Sequence, residues 1–87
     1  MKISVFGIGY VGAVSAACLA ESGHNVTAVD TDQRKINTIN KGEAPFYEPG
    51  LQDIIERHVE GKRLRATSDY ARAVKNTALS MICVGTP

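Results

Sequence analysis

Cysteine is scarce in this sequence. Its 87 residues include two, Cys18 and Cys83. They lie far apart and form no CxxC pair, so a disulfide framework, a zinc site and a thioredoxin-type redox pair have no support. Each sits in an apolar segment and reads as a buried, reduced thiol. An excess of one charge is also missing. The net charge of +1 gives no global field to recruit nucleic acid or an acidic membrane, and neither is expected as a partner. No apolar run spans a bilayer: the longest, Val11 to Ala20, is too short and contains Ser15. Lys2 leads at once into a strand-like run and a glycine loop, without the apolar core and cleavage site of a secretory signal. The cytoplasm is therefore the expected compartment. With 44% apolar and 22% charged residues, whole-chain disorder is excluded. The length allows one small domain.

What is present alternates between strand and helix signals. Lys2–Phe6 reads as a strand stopped by glycines. Tyr10 to about Ser22 reads as a helix, with Val11, Val14, Ala17, Cys18 and Glu21 marking its turns and Gly23 beyond its end. Asn25–Asp30 is a second strand. Thr31 or Asp32 caps a second helix to about Asn40, with Ile36 and Ile39 on one face and Gly42 after it. A loop with two prolines and the pair Phe46-Tyr47 leads to Pro49-Gly50, which opens a third helix at Leu51–Val59, closed by Gly61. Leu64–Thr67 is a weak third strand, Ser68 or Asp69 caps a brief helix to Lys75, and Leu79–Val84 is an apolar fourth strand. This order predicts an α/β fold: a Rossmann-like, doubly wound parallel sheet, partial, of four strands in the order 3-2-1-4.

The first strand runs into Gly7-Ile8-Gly9-Tyr10-Val11-Gly12. GxGxxG alone is a weak signal, but here it follows a strand, opens a helix, and has an acid at the end of the next strand. Gly7 permits the tight turn, Gly9 lets backbone approach a diphosphate, and Gly12 lets the helix lie against the sheet. The Tyr10 and Val11 amides, in the first turn, are the expected donors at the positive end of the helix dipole. Asp30 lies about 18 positions after Gly12, near the roughly 20-residue spacing of a carboxylate that accepts from the adenosine ribose. An anion there opposes a 2′-phosphate, so NAD is favoured over NADP. Lys35 can reach the ribose or the adenine edge. Val84-Gly85-Thr86-Pro87 follows the fourth strand, and the 3-2-1-4 order sets it across the switch point from the glycine loop. The Thr86 hydroxyl can then meet the diphosphate or the nicotinamide ribose.

Other candidates read as structural. His24 follows the end of the first helix, and His58 falls on the third helix as a half-exposed residue. Neither has the partners of a catalytic set. Lys62, Arg63 and Arg65 form a solvated turn without an interleaved aromatic platform. Phe46 and Tyr47 read as packing residues. No metal ligands stand out.

Three stretches carry a resemblance over essentially the whole chain: MKISVFGIGYVGAVSAACLAESGHNVTAVD, KI..IN.G..PFYEPGL and ICVGTP. They resemble the amino-terminal NAD-binding segment of the UDP-glucose/GDP-mannose dehydrogenase family, and the GYVGAV and ICVGTP wordings lean toward GDP-mannose members. The resemblance implies a Rossmann domain followed by a helical dimerisation region and a substrate domain, hence a homo-oligomer. It implies oxidation of the C6 alcohol of a nucleotide sugar to the uronate in two NAD-linked steps, through a nucleophilic cysteine. Diphosphate contact by the Tyr10 and Val11 amides, ribose contact by Asp30 and Lys35, and cofactor contact by Thr86 are carried over with it. Glu48, Pro49, Gly50 and Leu51 match a rigid lead from loop into helix. Neither Cys18 nor Cys83 matches the nucleophile. Residues 1–87 therefore read as a truncated NAD-binding segment, inactive alone. The competing reading is a free-standing, non-catalytic nucleotide-binding or regulatory module.

Overall fold

A computed structural model describes residues 1–83. Four strands, β1 (Lys2–Phe6), β2 (Asn25–Val29), β3 (Leu64–Thr67) and β4 (Leu79–Ile82), alternate with helices α1 (Tyr10–Glu21), α2 (Gln33–Asn40), α3 (Leu51–Glu60) and α4 (Tyr70–Lys75). The strands form one sheet in the expected order β3-β2-β1-β4, and all three pairings are parallel.

Strand alternation divides the sheet into two unlike faces. Ile3, Val5, Val26, Ala28, Leu64 and Ala66 point to one side and join the alanines of α1, Ile36 and Ile39 of α2, and Leu51 and Ile55 of α3 in the core. Ser4 and Thr27 point to the other side, over which α4 passes. There the fully buried Ser4 hydroxyl meets Ser80 Oγ at 2.7 Å and Thr77 Oγ1 at 3.0 Å. The Thr77 hydroxyl in turn donates to the Ala73 carbonyl at 2.8 Å. This chain of hydroxyls ties the end of α4 to β1 and β4 without leaving a buried polar group unmet.

The two outer strands are treated differently. On β3, Asn40 of α2 covers the open edge: its Oδ1 accepts from the Ala66 N–H at 2.8 Å and its Nδ2 donates to the Ala66 carbonyl at 2.9 Å. On β4, Leu79 and Ile82 remain 50% and 69% exposed, and no comparable side chain closes the edge among the described residues.

Several expectations need correction. The second strand ends at Val29, so Asp30 lies just past it. The described part of the fourth strand ends at Ile82, and Val84 lies outside the described residues. The third helix runs one residue further, to Glu60; Gly61 closes it as expected, as its C-cap, and a left-handed residue follows at Lys62 (φ 62°). The buried face of α1 agrees with the expected one at Ala17 and Val14 but not at Val11, Cys18 and Glu21. Its buried residues are Gly12, Ala13, Ala16, Ala17 and Ala20, while Val11 is 62% exposed and Cys18 is exposed, not buried. The helix lies on its smallest side chains because a close approach to the sheet demands them, and it is apolar nearly all round, so periodicity could not select the face. Phe46 does pack on the core, but Tyr47 is 90% exposed.

His58 is 5% exposed, not half exposed. Its Nε2 meets Glu21 Oε1 at 2.7 Å, linking α3 to the last residue of α1. The hydrogen bond from His58 holds the Glu21 carboxyl below its usual range; burial opposes this and the Arg57 charge adds to it. A carboxyl lowered on folding contributes stability that is complete above its unfolded pKa and is lost as pH falls through the lower folded value. Glu21→Ala is therefore expected to lower Tm at neutral pH. It should also flatten the stability loss across the acid range just below the ordinary carboxylate pKa, as checked by thermal melts over a pH series.

Candidate functional site

The glycine loop makes a sharp turn from β1 into α1. Gly7 has φ 103°, which a side chain rarely tolerates. Its N–H donates to the Val29 carbonyl at 2.7 Å, and Ile8 buries its side chain to 1% exposure, so the turn is anchored at both of its first residues. Gly12 carries the tightest constraint: a Cβ there would stand 1.7 Å from the Gly7 carbonyl oxygen and 3.4 Å from the Cys83 Cβ. Gly9 is the opposite case. Its backbone is extended (φ −88°, ψ −164°), and a Cβ would meet no atom of the described residues within 4 Å. The fold of the described residues thus has no need of glycine there.

Gly9 is also the N-cap of α1, and it supplies no side-chain cap; no acidic residue stands in the first turn. The helix starts with its early N–H groups uncapped by its own side chains, at the positive end of its dipole. Tyr10 and Val11 are 55% and 62% exposed, so their side chains point away and their amides define the turn. An uncapped helix start beside open space at a glycine fits a diphosphate.

Asp30 stands beside this turn and does more than the sequence suggested. Its Oδ2 accepts the Ile8 N–H at 2.7 Å and its Oδ1 accepts the Asp32 N–H at 2.8 Å. Burial alone would push this carboxyl up. The hydrogen bonds from the Ile8 and Asp32 backbone outweigh it, the Lys35 charge and the Thr31 backbone add to them, and the net pKa lies below the usual range. Asp30 is thus a fixed anion that holds the glycine loop. Each oxygen keeps a free lone pair for a further donor such as a ribose hydroxyl. Asp32 caps α2 through the Arg34 N–H at 2.9 Å, and Lys35 follows in its first turn. Thr86 lies outside the described residues. Gly7, Gly9, Tyr10, Val11, Gly12, Asp30 and Lys35 therefore gather at the carboxyl end of β1 and β2. A polar groove of about 370 Å³ lined by Thr27, Arg65, Thr67, Arg72 and Asn76 lies elsewhere, beside α4. No cluster of metal-ligating side chains occurs among the described residues, and no helix among them is long and apolar enough to cross a membrane.

The sequence reading did not foresee the bond between Asp30 and Ile8 N–H, because a backbone partner leaves no residue signature. It also did not foresee the aromatic contact at the first turn. The Tyr10 and Phe46 rings lie 5.2 Å apart, tilted by 32°.

Residues 1–87 match the model of the UDP-glucose/GDP-mannose dehydrogenase family, NAD binding domain. The chain belongs to this family. GDP-mannose 6-dehydrogenase of Pseudomonas savastanoi pv. phaseolicola is 52% identical over 87 residues, covering all of this chain and 20% of the relative. UDP-glucose 6-dehydrogenase TuaD of Bacillus subtilis is 45% identical over 86 residues, covering 99% of this chain and 19% of the relative. In a ternary complex of GDP-mannose dehydrogenase from Pseudomonas aeruginosa, the corresponding fold superposes with a TM-score of 0.98 at 48% identity, covering all of this chain and 20% of that one. The UDP-glucose dehydrogenase of Pyrobaculum islandicum gives 0.92 at 36% identity, covering 99% of this chain and 20% of that one. The chain thus spans about one fifth of the length of the relatives it matches. The family model makes it an NAD-binding domain and bears out the cofactor expected from Asp30 and the glycine loop.

Gly12→Ala is expected to destabilise the fold by about 1–3 kcal/mol or more, because the methyl group meets backbone that cannot yield. Gly9→Ala should stay within about 1 kcal/mol of the parent. Urea denaturation of both variants checks the contrast.

Proposed function

We propose that this chain binds NAD across its glycine loop as the cofactor part of a nucleotide-sugar 6-dehydrogenase. The observation that carries the reading is the open space at Gly9, set against an uncapped helix start with a fixed carboxylate alongside. The Tyr10 and Val11 amides hold the diphosphate, Gly7 and Gly12 shape the turn that presents them, and Asp30 and Lys35 hold the adenosine ribose. Thr86, which follows the fourth strand in sequence, meets the cofactor. Bound NAD supplies the hydride acceptor. The substrate of the whole protein is a nucleotide sugar, GDP-mannose or UDP-glucose, oxidised at its C6 alcohol to the uronate in two steps. Relatives of both kinds support the class, and identities of 52% and 45% favour GDP-mannose. A cytoplasmic homo-oligomer is the state proposed for the protein.

Calorimetric titration tests the cofactor assignment. NAD is expected to bind more tightly than NADP, since the Asp30 carboxylate repels a 2′-phosphate. Asp30→Ala should weaken NAD and narrow the preference. It should also cost about 1–3 kcal/mol of stability, because the Ile8 N–H loses its acceptor. Gly9→Val should leave the fold intact and abolish NAD binding; undiminished binding by this variant would refute the site.

The 87 residues alone are expected to bind NAD without forming NADH from GDP-mannose or UDP-glucose. Cys18 faces solvent at the middle of α1, and Cys83 packs against the core beside Gly12, so neither is set up as a nucleophile for a bound sugar. NADH absorbance in the presence of each sugar checks this.

A further inference from the structure

A helix start that must offer its N–H groups to a ligand faces a conflict. The usual way to fix a first turn is a side-chain cap, but a cap consumes one of those N–H groups. In α1 the cap position is Gly9 and no side chain bonds to the turn. Something else has to hold the turn in place.

The segment between α2 and α3 provides it. This segment is a braced arm. At its base Gln52 donates through Nε2 to the Gly42 carbonyl and accepts through Oε1 from the Ala44 N–H, both at 2.8 Å. At its far end the Leu51 N–H donates to the Glu48 carbonyl at 3.0 Å. Between these ties, Phe46 packs against the core and sets its ring 5.2 Å from that of Tyr10, the first residue of α1. This ring contact holds the Tyr10 side chain and leaves its amide free.

We propose that Phe46 is a positioning residue for the cofactor, holding the first turn of α1 through the Tyr10 side chain in place of a helix cap. This rests on the assignment of the Tyr10 and Val11 amides to the diphosphate. The arm touches no ligand itself; it narrows the range of positions the amides explore before NAD arrives, and so lowers the ordering cost of binding. Tyr10 thereby has two separable roles, its amide toward the ligand and its ring toward the arm.

The experiment is NAD titration of Phe46→Ala, Tyr10→Ala and the double variant, with Gly9→Val as control. Each single substitution is expected to weaken NAD about two- to tenfold, the scale of an aromatic pair. The double variant should be no weaker than Tyr10→Ala, and Phe46→Tyr should restore parental affinity. Independent effects of Phe46→Ala in the two backgrounds would mark a general packing role and overturn the proposal. Should Phe46→Ala fail to fold, Tyr10→Ala, at a half-exposed position, decides the matter: parental affinity overturns it. Loss of binding in Gly9→Val together with parental affinity in Tyr10→Ala overturns the arm alone. Parental affinity in Gly9→Val removes the site on which it rests.

Discussion

The α-carbon of Gly12 sits so close to the Gly7 carbonyl that no side chain fits between them. This close approach governs the packing of the first helix. It brings the start of α1 down onto the end of β1, and the rest of the helix must then lie on Ala13, Ala16, Ala17 and Ala20. Val14 and Leu19 pack at the margin of that face, and Val11 is turned outward. The same approach aims the helix axis at the carboxyl edge of the sheet, where β1 and its neighbour β2 lead into separate connections. A parallel sheet sends all its strands to that edge, and ligands collect there because loops and helix starts, not ladders, supply the free polar groups.

Two kinds of glycine meet in that turn. Gly7 and Gly12 answer to the protein: one by its positive φ, the other by contact with backbone. Gly9 answers to nothing among the described residues, since its surroundings there would admit a side chain. A residue type that the fold does not require is a stronger pointer to a ligand than one it does. The pattern GxGxxG treats the three alike, and only the geometry separates them.

Much of the fold was legible because its punctuation is local. Glycines after α1 and α2, the Asp32 and Asp69 caps, and the alternation of apolar strands with amphipathic helices marked nearly every element. The strand order followed from the chirality and length of the connections. What stayed hidden depended on partners distant in sequence. Burial of His58 needs Glu21 from another helix, and exposure of Cys18 follows from the alanine face that Gly12 imposes. At the site, the residue types and spacing marked Asp30, but its tie to Ile8 involves a backbone N–H, which every residue but proline possesses. Phe46 read as packing, as it is; that it packs on the first residue of the glycine-loop helix required the fold of the intervening segment.

The two hydrogen bonds accepted by Asp30 have a consequence for how this domain can change over evolutionary time. The carboxylate proposed to discriminate between dinucleotides also supports the glycine loop. A lineage cannot drift toward the phosphorylated cofactor by exchanging this one residue, because the exchange loosens the loop before any new affinity exists. It needs a replacement acceptor for the Ile8 N–H first or at the same moment. Cofactor identity is in this way entrenched by folding, and an engineer who wishes to switch it must redesign the junction of β1 and β2 as a unit.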